Sequence, residues 1–322
     1  MSAPAQTILA LSGGVGGAKL VLGLAGELPA EALHVLVNTG DDFEHLGLHI
    51  SPDIDTLLYT LAGLSNRQQG WGLADESWNT MASLERLGGD TWFRLGDRDM
   101  ATHLWRRQQL SRGDTISQVT AELARRLGVQ VRVYPMSDDP VRTTVHTENG
   151  DLPFQHYFVR EQCRPAVTGF SFDGISAARP NRDVARLLQE HQPSRIIICP
   201  SNPFVSVDPI LQVPGLWLSL RDNPAPVILV SPIVAGLAIK GPAAKMMAEL
   251  GVPVTAAGVA RHYCERYPGL VDHFVIDESD AILADEITAL GLDVAVTRTI
   301  MNSDEDKRRL ARFTLDLAQE EA

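Results

Sequence analysis

The 322-residue sequence predicts an α/β fold: a doubly wound, mostly parallel sheet with an inserted, mainly helical lobe. Three observations predict it. The chain opens with an apolar run, a glycine-rich turn and an amphipathic stretch, then a second apolar run. Its later half alternates short apolar runs with helical patterns. Between the two, residues 53–127 hold no convincing long β run.

The elements follow in order. Residues 7–11 are apolar and lead into Ser12-Gly13-Gly14-Val15-Gly16-Gly17, and residues 18–28 continue at helical period. That is strand, turn and helix. Residues 33–37 form the next strand and end at Asn38-Thr39, so the unit is a βαβ with a right-handed crossover and parallel strands. Helices are predicted around 53–63, 76–87, 99–110 and 115–127, a region that holds Trp71, Trp78, Trp92 and Trp105. Residues 131–134 return to strand, and 143–159 read as a hairpin with Asn149-Gly150 as its turn. Strands then fall at 195–199, 226–230, 252–256, 274–276 and 293–296. Helices fill 240–250, 259–266, 278–290 and 304–320. Short buried strands alternating with helices mean an open sheet covered on both faces. The domain reading is an α/β core of 1–52 and 128–322, with 53–127 as the inserted lobe.

Composition narrows the function. Hydrophobic residues make up 44% and charged residues 21%, enough for a core without staples. The net charge of -12 argues against a nucleic-acid partner. Cys163, Cys199 and Cys264 are odd in number and far apart, against a disulfide framework or a zinc site. Cys199, at the end of an apolar run, reads as a small buried hydrophobe. No run approaches the roughly 18 apolar residues that span a bilayer. The N-terminus lacks a basic stretch, so a membrane role is not expected and a reducing cytoplasm is.

Several constellations could carry chemistry. In Ser12-Gly13-Gly14-Val15-Gly16-Gly17-Ala18-Lys19, glycines between strand and helix let backbone amides approach a phosphate at a helix N-terminus. The segment fits neither the Walker A spacing nor the dinucleotide fingerprint, and strand two ends in Asn38 rather than an acid. Asp41, Asp42, Asp53 and Asp55 follow near the carboxyl end of strand two. Ser51 can cap a helix with Pro52 at its first position, which accounts for Asp53 better than for Asp55. Carboxylates beside a phosphate site commonly hold Mg²⁺ or act as a base. Arg94 and Arg98 flank Gly96 and suit bidentate contact with phosphate, although an internally paired charge cluster is the plain alternative. Ser201, Asn202, Lys240 and Gly241 fall on the same sheet edge as the first loop. His103 and His262 read as surface or hydrogen-bonded histidines.

These stretches resemble the CofD/FbiA family, the 2-phospho-L-lactate transferases of coenzyme F420 biosynthesis. The match runs through LSGGVGGAK at 11–19, VNTGDDFEHLGLHISPDIDTLLYTLAG at 37–63, FRLGDRDMATH at 93–103, PMSDDPVRT at 135–143, PSNPFVSVDPIL at 200–211 and VSPIVAGLAIKGPAAKMM at 230–247. The resemblance implies a Rossmann-like core, a homodimer and a requirement for Mg²⁺. It implies transfer of a phospho-acid group (phospholactate, phosphoenolpyruvate or phosphoglycerate) from a guanosine diphosphate ester to the deazaflavin alcohol Fo, releasing GMP. Asp55, with Asp53 nearby, is expected to be catalytic. Asp55, Arg94 and Arg98 would contact Fo. Ser12, Gly13, Gly14, Gly16, Gly17, Lys19, Ser201, Asn202, Lys240 and Gly241 would hold the nucleotide, and Asp41, Asp42 and Asp53 the metal. Gly14-Val15-Gly16 replaces the Gly-Thr-Gly associated with archaeal members. The rival reading is a non-catalytic regulatory protein on the same fold that binds a UDP-sugar or a dinucleotide.

Overall fold

The computed structural model describes residues 7–66, 70–238 and 241–317. Seven strands form one sheet: β1 (Ile8–Ser12), β2 (Leu33–Val37), β3 (Arg132–Pro135), β4 (Arg195–Ile198), β5 (Val227–Val230), β6 (His273–Asp277) and β7 (Asp293–Thr297). Their spatial order is β7-β6-β5-β4-β1-β2-β3, and every neighbouring pair is parallel. The chain walks outward from β1 to β3, then restarts with β4 on the other side of β1. The crevice at that reversal is where open α/β sheets bind ligands.

Period-two alternation within each strand divides the core into two layers. Leu9, Leu11, Leu36, Ile196, Ile198 and Leu229 face one side. Ile8, Ala10, Val35, Ile197, Ile228 and Val275 face the other. Both sides are covered, so these strands read as continuous apolar runs. Cys199 is buried and free in the second layer, as its sequence context suggested, and burial pushes its thiol up.

On the second face, α1 (Gly14–Glu27) packs against α2 (Pro52–Leu61) and the helix Asp304–Asp316. The next helices are α3 (Asn79–Arg86), α4 (Asp97–Leu110) and α5 (Ile116–Arg126). Ile54, Leu57 and Leu58 of α2 and Leu123 and Ala124 of α5 join the second layer. Met81 of α3 instead packs with Leu48, Ile50 and Leu95 in a small separate cluster. Among the described residues no helix is long and apolar enough to cross a membrane.

Two expectations change. Residues 252–256 are not a strand. Pro253 has no N–H to give a ladder, and the Thr255 hydroxyl accepts the Gly258 N–H at 3.0 Å, which starts the helix Ala256–Arg266. The hairpin exists as Arg142–Thr147 paired with Gly150–Pro153, so its turn is Glu148-Asn149, and His156–Arg160 is helical. The far edge pairs with Val167–Asp173, a strand the sequence reading missed.

At the end of β6, buried Asp277 anchors the segment that follows β7. It accepts the Ser279 N–H at 3.0 Å and hydroxyl at 2.8 Å, and the Thr299 N–H at 2.8 Å and hydroxyl at 3.2 Å. Asp277→Ala strands the Thr299 amide, and a loss of about 1–3 kcal/mol is expected. Urea unfolding should show a lower midpoint at unchanged slope.

Candidate active site at the strand ends

The carboxyl ends of β1, β2 and β4 open into a cleft of about 650 Å³. Gly13, Gly14, Gly16 and Lys19 line it, together with Asp41, Asp53 and Asp55, Ser201 and Asn202, and Gly241. Trp71, Trp92, Phe93, Phe154 and Phe158 add an aromatic portion. The glycine turn and three of the four clustered acids therefore share one opening.

Asp53 joins the pieces. Its Oδ1 accepts the Gly14 N–H at 2.8 Å and its Oδ2 accepts the Asn38 amide at 2.9 Å. Asn38 also donates to the Val205 carbonyl at 3.2 Å and accepts the Gly40 N–H at 2.8 Å. One side chain just after β2 thus ties together α2, the segment after β4 and its own turn. Burial raises the Asp53 carboxyl to about 6, against the opposing hydrogen bonds from Asn38 and Gly14. Asp41 is also buried, and its Oδ1 has no hydrogen-bond partner. Burial first and the Asp53 charge second hold its carboxyl well above the ordinary range.

Across the switch point, the Gly13 N–H donates to the Ser201 hydroxyl at 3.1 Å, linking β1 to the chain after β4. Gly14 has φ +63°, a conformation that favours glycine. A Cβ on Gly16 would lie 2.3 Å from the Pro200 carbonyl oxygen, so close approach requires that glycine. Ser12 and Gly17 are buried beside Ser201 and are not part of the cleft lining. Lys19 donates to the Met301 carbonyl at 2.9 Å. The Asn202 side chain accepts the Phe204 N–H at 3.0 Å. Lys240 lies outside the described residues.

Asp53 and Asp55 sit two residues apart on α2, about 200° around the helix. Asp53 meets the glycine turn, whereas Asp55 meets α4. Arg106 Nη1 donates to Asp55 Oδ2 at 3.1 Å and Nη2 to Oδ1, and His103 Nδ1 lies 3.8 Å from Oδ2. Arg106 was not singled out from the sequence. Its one available signal was the spacing Asp99, His103, Arg106, which puts three polar groups on one helix face. His103, read as a surface or hydrogen-bonded residue, is 1% exposed and hydrogen-bonded to Arg106 at 3.0 Å. His262 is held by Asp208 at 3.2 Å, as the plain reading had it.

Three assignments move. Asp42 is not among the cleft-lining residues: Oδ2 accepts the Ser51 hydroxyl at 2.9 Å and lies 3.0 Å from His49 Nε2. Ser51 stands at the N-cap of α2 with Pro52 at the first helical position, as expected, but its hydroxyl makes no capping hydrogen bond and donates to Asp42. Arg98 also points elsewhere, donating to the Ala74 carbonyl at 2.8 Å. Its backbone N–H and that of Asp99 are accepted by Glu76 at 2.8 and 2.7 Å, which caps α4. Asp97 in turn accepts the Asn79 and Thr80 N–H groups, both at 3.0 Å, and caps α3. In Leu-Gly-Asp-Arg-Asp, the first Asp and the Arg backbone therefore serve a reciprocal helix clamp. Arg94 does line the cleft, with its guanidinium 4.5 Å over the Trp78 ring.

The profile described as 2-phospho-L-lactate transferase CofD matches residues 8–308. The chain belongs to the CofD family. A phosphoenolpyruvate transferase from Kitasatospora aureofaciens is 40% identical, covering 97% of this chain and 98% of the relative. A 2-phospho-L-lactate transferase from Methanopyrus kandleri is 39% identical, covering 96% and 97%. A crystal structure of a upf0052 family member from Bacillus halodurans superposes with a TM-score of 0.66 at 15% identity, covering 98% of this chain and all of that one; it supports the fold alone. For this CofD member, the two glycines of the turn should respond differently to alanine. Gly16→Ala drives a methyl into backbone and should cost about 1–3 kcal/mol. Gly14→Ala meets no atom within 4 Å, so only the left-handed conformation opposes it, at about 1–2 kcal/mol. Thermal melts of both variants, with and without GDP, check this: Gly16→Ala should also blunt the nucleotide-induced rise in Tm.

Proposed function

We propose that this chain transfers a phospho-acid group from a guanosine diphosphate ester to the primary hydroxyl of Fo, releasing GMP, in coenzyme F420 biosynthesis. The observation that carries the reading is the shared cleft: backbone amides of a strand–turn–helix, paired buried carboxylates and an aromatic wall around one opening. Phosphoryl transfer needs little covalent help from the protein. It needs positioning, charge neutralisation and a proton acceptor. The Fo hydroxyl oxygen attacks the phosphorus bearing the small acid. The bond from that phosphorus to the bridging oxygen breaks, and GMP leaves with the electron pair.

The glycine turn, Lys19, Ser201, Asn202 and the turn at Gly241 would hold the diphosphate and nucleoside. Asp55 would accept the acceptor hydroxyl, since each oxygen held by Arg106 keeps a further lone pair. Arg94 would meet Fo or the transferred group. Mg²⁺ fits Asp41 and Asp53: two adjacent buried acids, one with an orphaned oxygen, whose charged forms burial disfavours and a cation would stabilise. Among the described residues no three His, Cys, Asp or Glu side chains form a metal-holding group. Mg²⁺ commonly takes one or two carboxylates and completes its shell with phosphate and water. When bound, it would neutralise charge on the diphosphate. Asp42 is the weaker ligand candidate because it does not line the cleft, although its Oδ1, like that of Asp41, has no hydrogen-bond partner.

The resemblance also implies a homodimer, whose subunit number light scattering on the purified protein reads, and the composition suits a cytoplasmic location. Nothing in the cleft favours a UDP-sugar or dinucleotide sensor, and Asn38 follows β2 where a ribose-binding acid would stand. Relatives carrying both the phosphoenolpyruvate and the phospholactate names lie at nearly equal identity. The test therefore offers Fo and Mg²⁺ with lactyl, enolpyruvyl and glyceryl esters in parallel and reads products by mass spectrometry. A phosphodiester of Fo with at least one acid is expected. GDP binding with no product from any ester would overturn the reading. Asp41→Asn should raise Tm without Mg²⁺, because it removes an acid whose charged form burial and Asp53 penalise, and should abolish turnover. Loss of stability with full turnover would contradict that role.

A further inference from the structure

We propose that Arg106, which is not itself part of the cleft lining, is the positioning residue for Asp55. The inference rests on the transferase reading above. Arg106 is 1% exposed and is the largest fully buried side chain among the described residues. Desolvating a guanidinium is costly, and a bidentate carboxylate is the usual compensation. Here both Asp55 oxygens are gripped by the two terminal nitrogens.

The fork is itself held. Nη1 also lies 3.0 Å from His103 Nδ1 and 3.3 Å from the His49 carbonyl, and shares its two hydrogens among these and Asp55 Oδ2. An arginine can only donate, so His103 Nδ1 faces the guanidinium as the acceptor. His103 Nε2 lies near Asp99 Oδ1, at 3.3 Å, without a hydrogen bond, and that oxygen accepts the Tyr59 hydroxyl at 2.6 Å. Asp99, His103 and Arg106 form one face of α4, and Asp55 and Tyr59 one face of α2. Asp55, Tyr59, Asp99 and His103 line the cleft, with Arg106 behind them.

A joint between two helices does not require this. Apolar residues of similar volume commonly hold such a joint as well or better. What the planar fork adds is orientation. It fixes rotation of the Asp55 carboxylate, so the remaining lone pairs keep one direction for an acceptor hydroxyl. Lysine would keep the charge but grip at a point.

The test is steady-state kinetics of Arg106→Lys, normalised to GDP-binding sites counted by calorimetry. We expect kcat to fall on the order of 100-fold, as for a displaced reacting group. KM for the guanosine ester and GDP affinity should stay within about twofold, because that side of the cleft is untouched. Asp55→Asn combined with Arg106→Lys should be no slower than Asp55→Asn alone, since both act through one carboxylate. If Arg106→Lys does not fold, Arg106→Ala supplemented with methylguanidinium gives the same reading, with restored kcat expected. Unchanged kcat per GDP site, multiplicative losses in the double variant, or no rescue of folded Arg106→Ala would overturn the proposal. Wild-type protein inert toward every ester would overturn the transferase reading and this proposal with it.

Discussion

A single buried carboxylate, Asp53, sets the geometry of the cleft. It accepts the Gly14 amide from the turn after β1 and the Asn38 amide from the end of β2, while sitting in the first turn of α2. Those contacts fix the rotation of α2 about its own axis. With Asp53 turned to the glycine turn, Asp55 must face α4, and the cleft opens between the two directions. The same contacts hold an acid beside Asp41 in a buried setting. Both carboxyls are pushed up, so the folded chain carries an electrostatic cost at its ligand crevice. Strain of this kind is expected where a site is built for a ligand rather than for stability.

The Asp-x-Asp spacing thus serves two sides of one cleft. One acid meets the glycine turn and shares its surroundings with Asp41. The other faces α4 and is gripped by Arg106. Sheet topology puts both there: β1 and β4 part at the switch point, and Gly13 and Ser201 close the gap with one hydrogen bond. Glu76 and Asp97 then lock α3 to α4, which keeps Asp99, His103 and Arg106 in register with α2.

The doubly wound sheet was legible because its strands are buried on both faces and read as apolar runs between helices. Residues 252–256 misled for the same reason: Val252 and Val254 are apolar, but Pro253 interrupts any ladder. Val167–Asp173 escaped because its burial is uneven along the strand, so its pattern lacks clean alternation. The cleft was legible where chemistry is local, as in the glycine turn and Asp53. It was not legible where a side chain's direction depends on distant partners. Asp42 is drawn off by Ser51 and His49, and Arg98 by Ala74. Arg106 finds Asp55 across 51 residues of chain, which no local pattern announces.

The most direct measurement is a crystal structure with GDP and Mn²⁺ as the anomalous substitute for Mg²⁺. An anomalous peak against Asp41 and Asp53, with the diphosphate over the Gly14–Gly16 amides, is the expected result. Nucleotide density outside the cleft, or a manganese peak that touches neither acid, would contradict a phosphate site organised by Asp53.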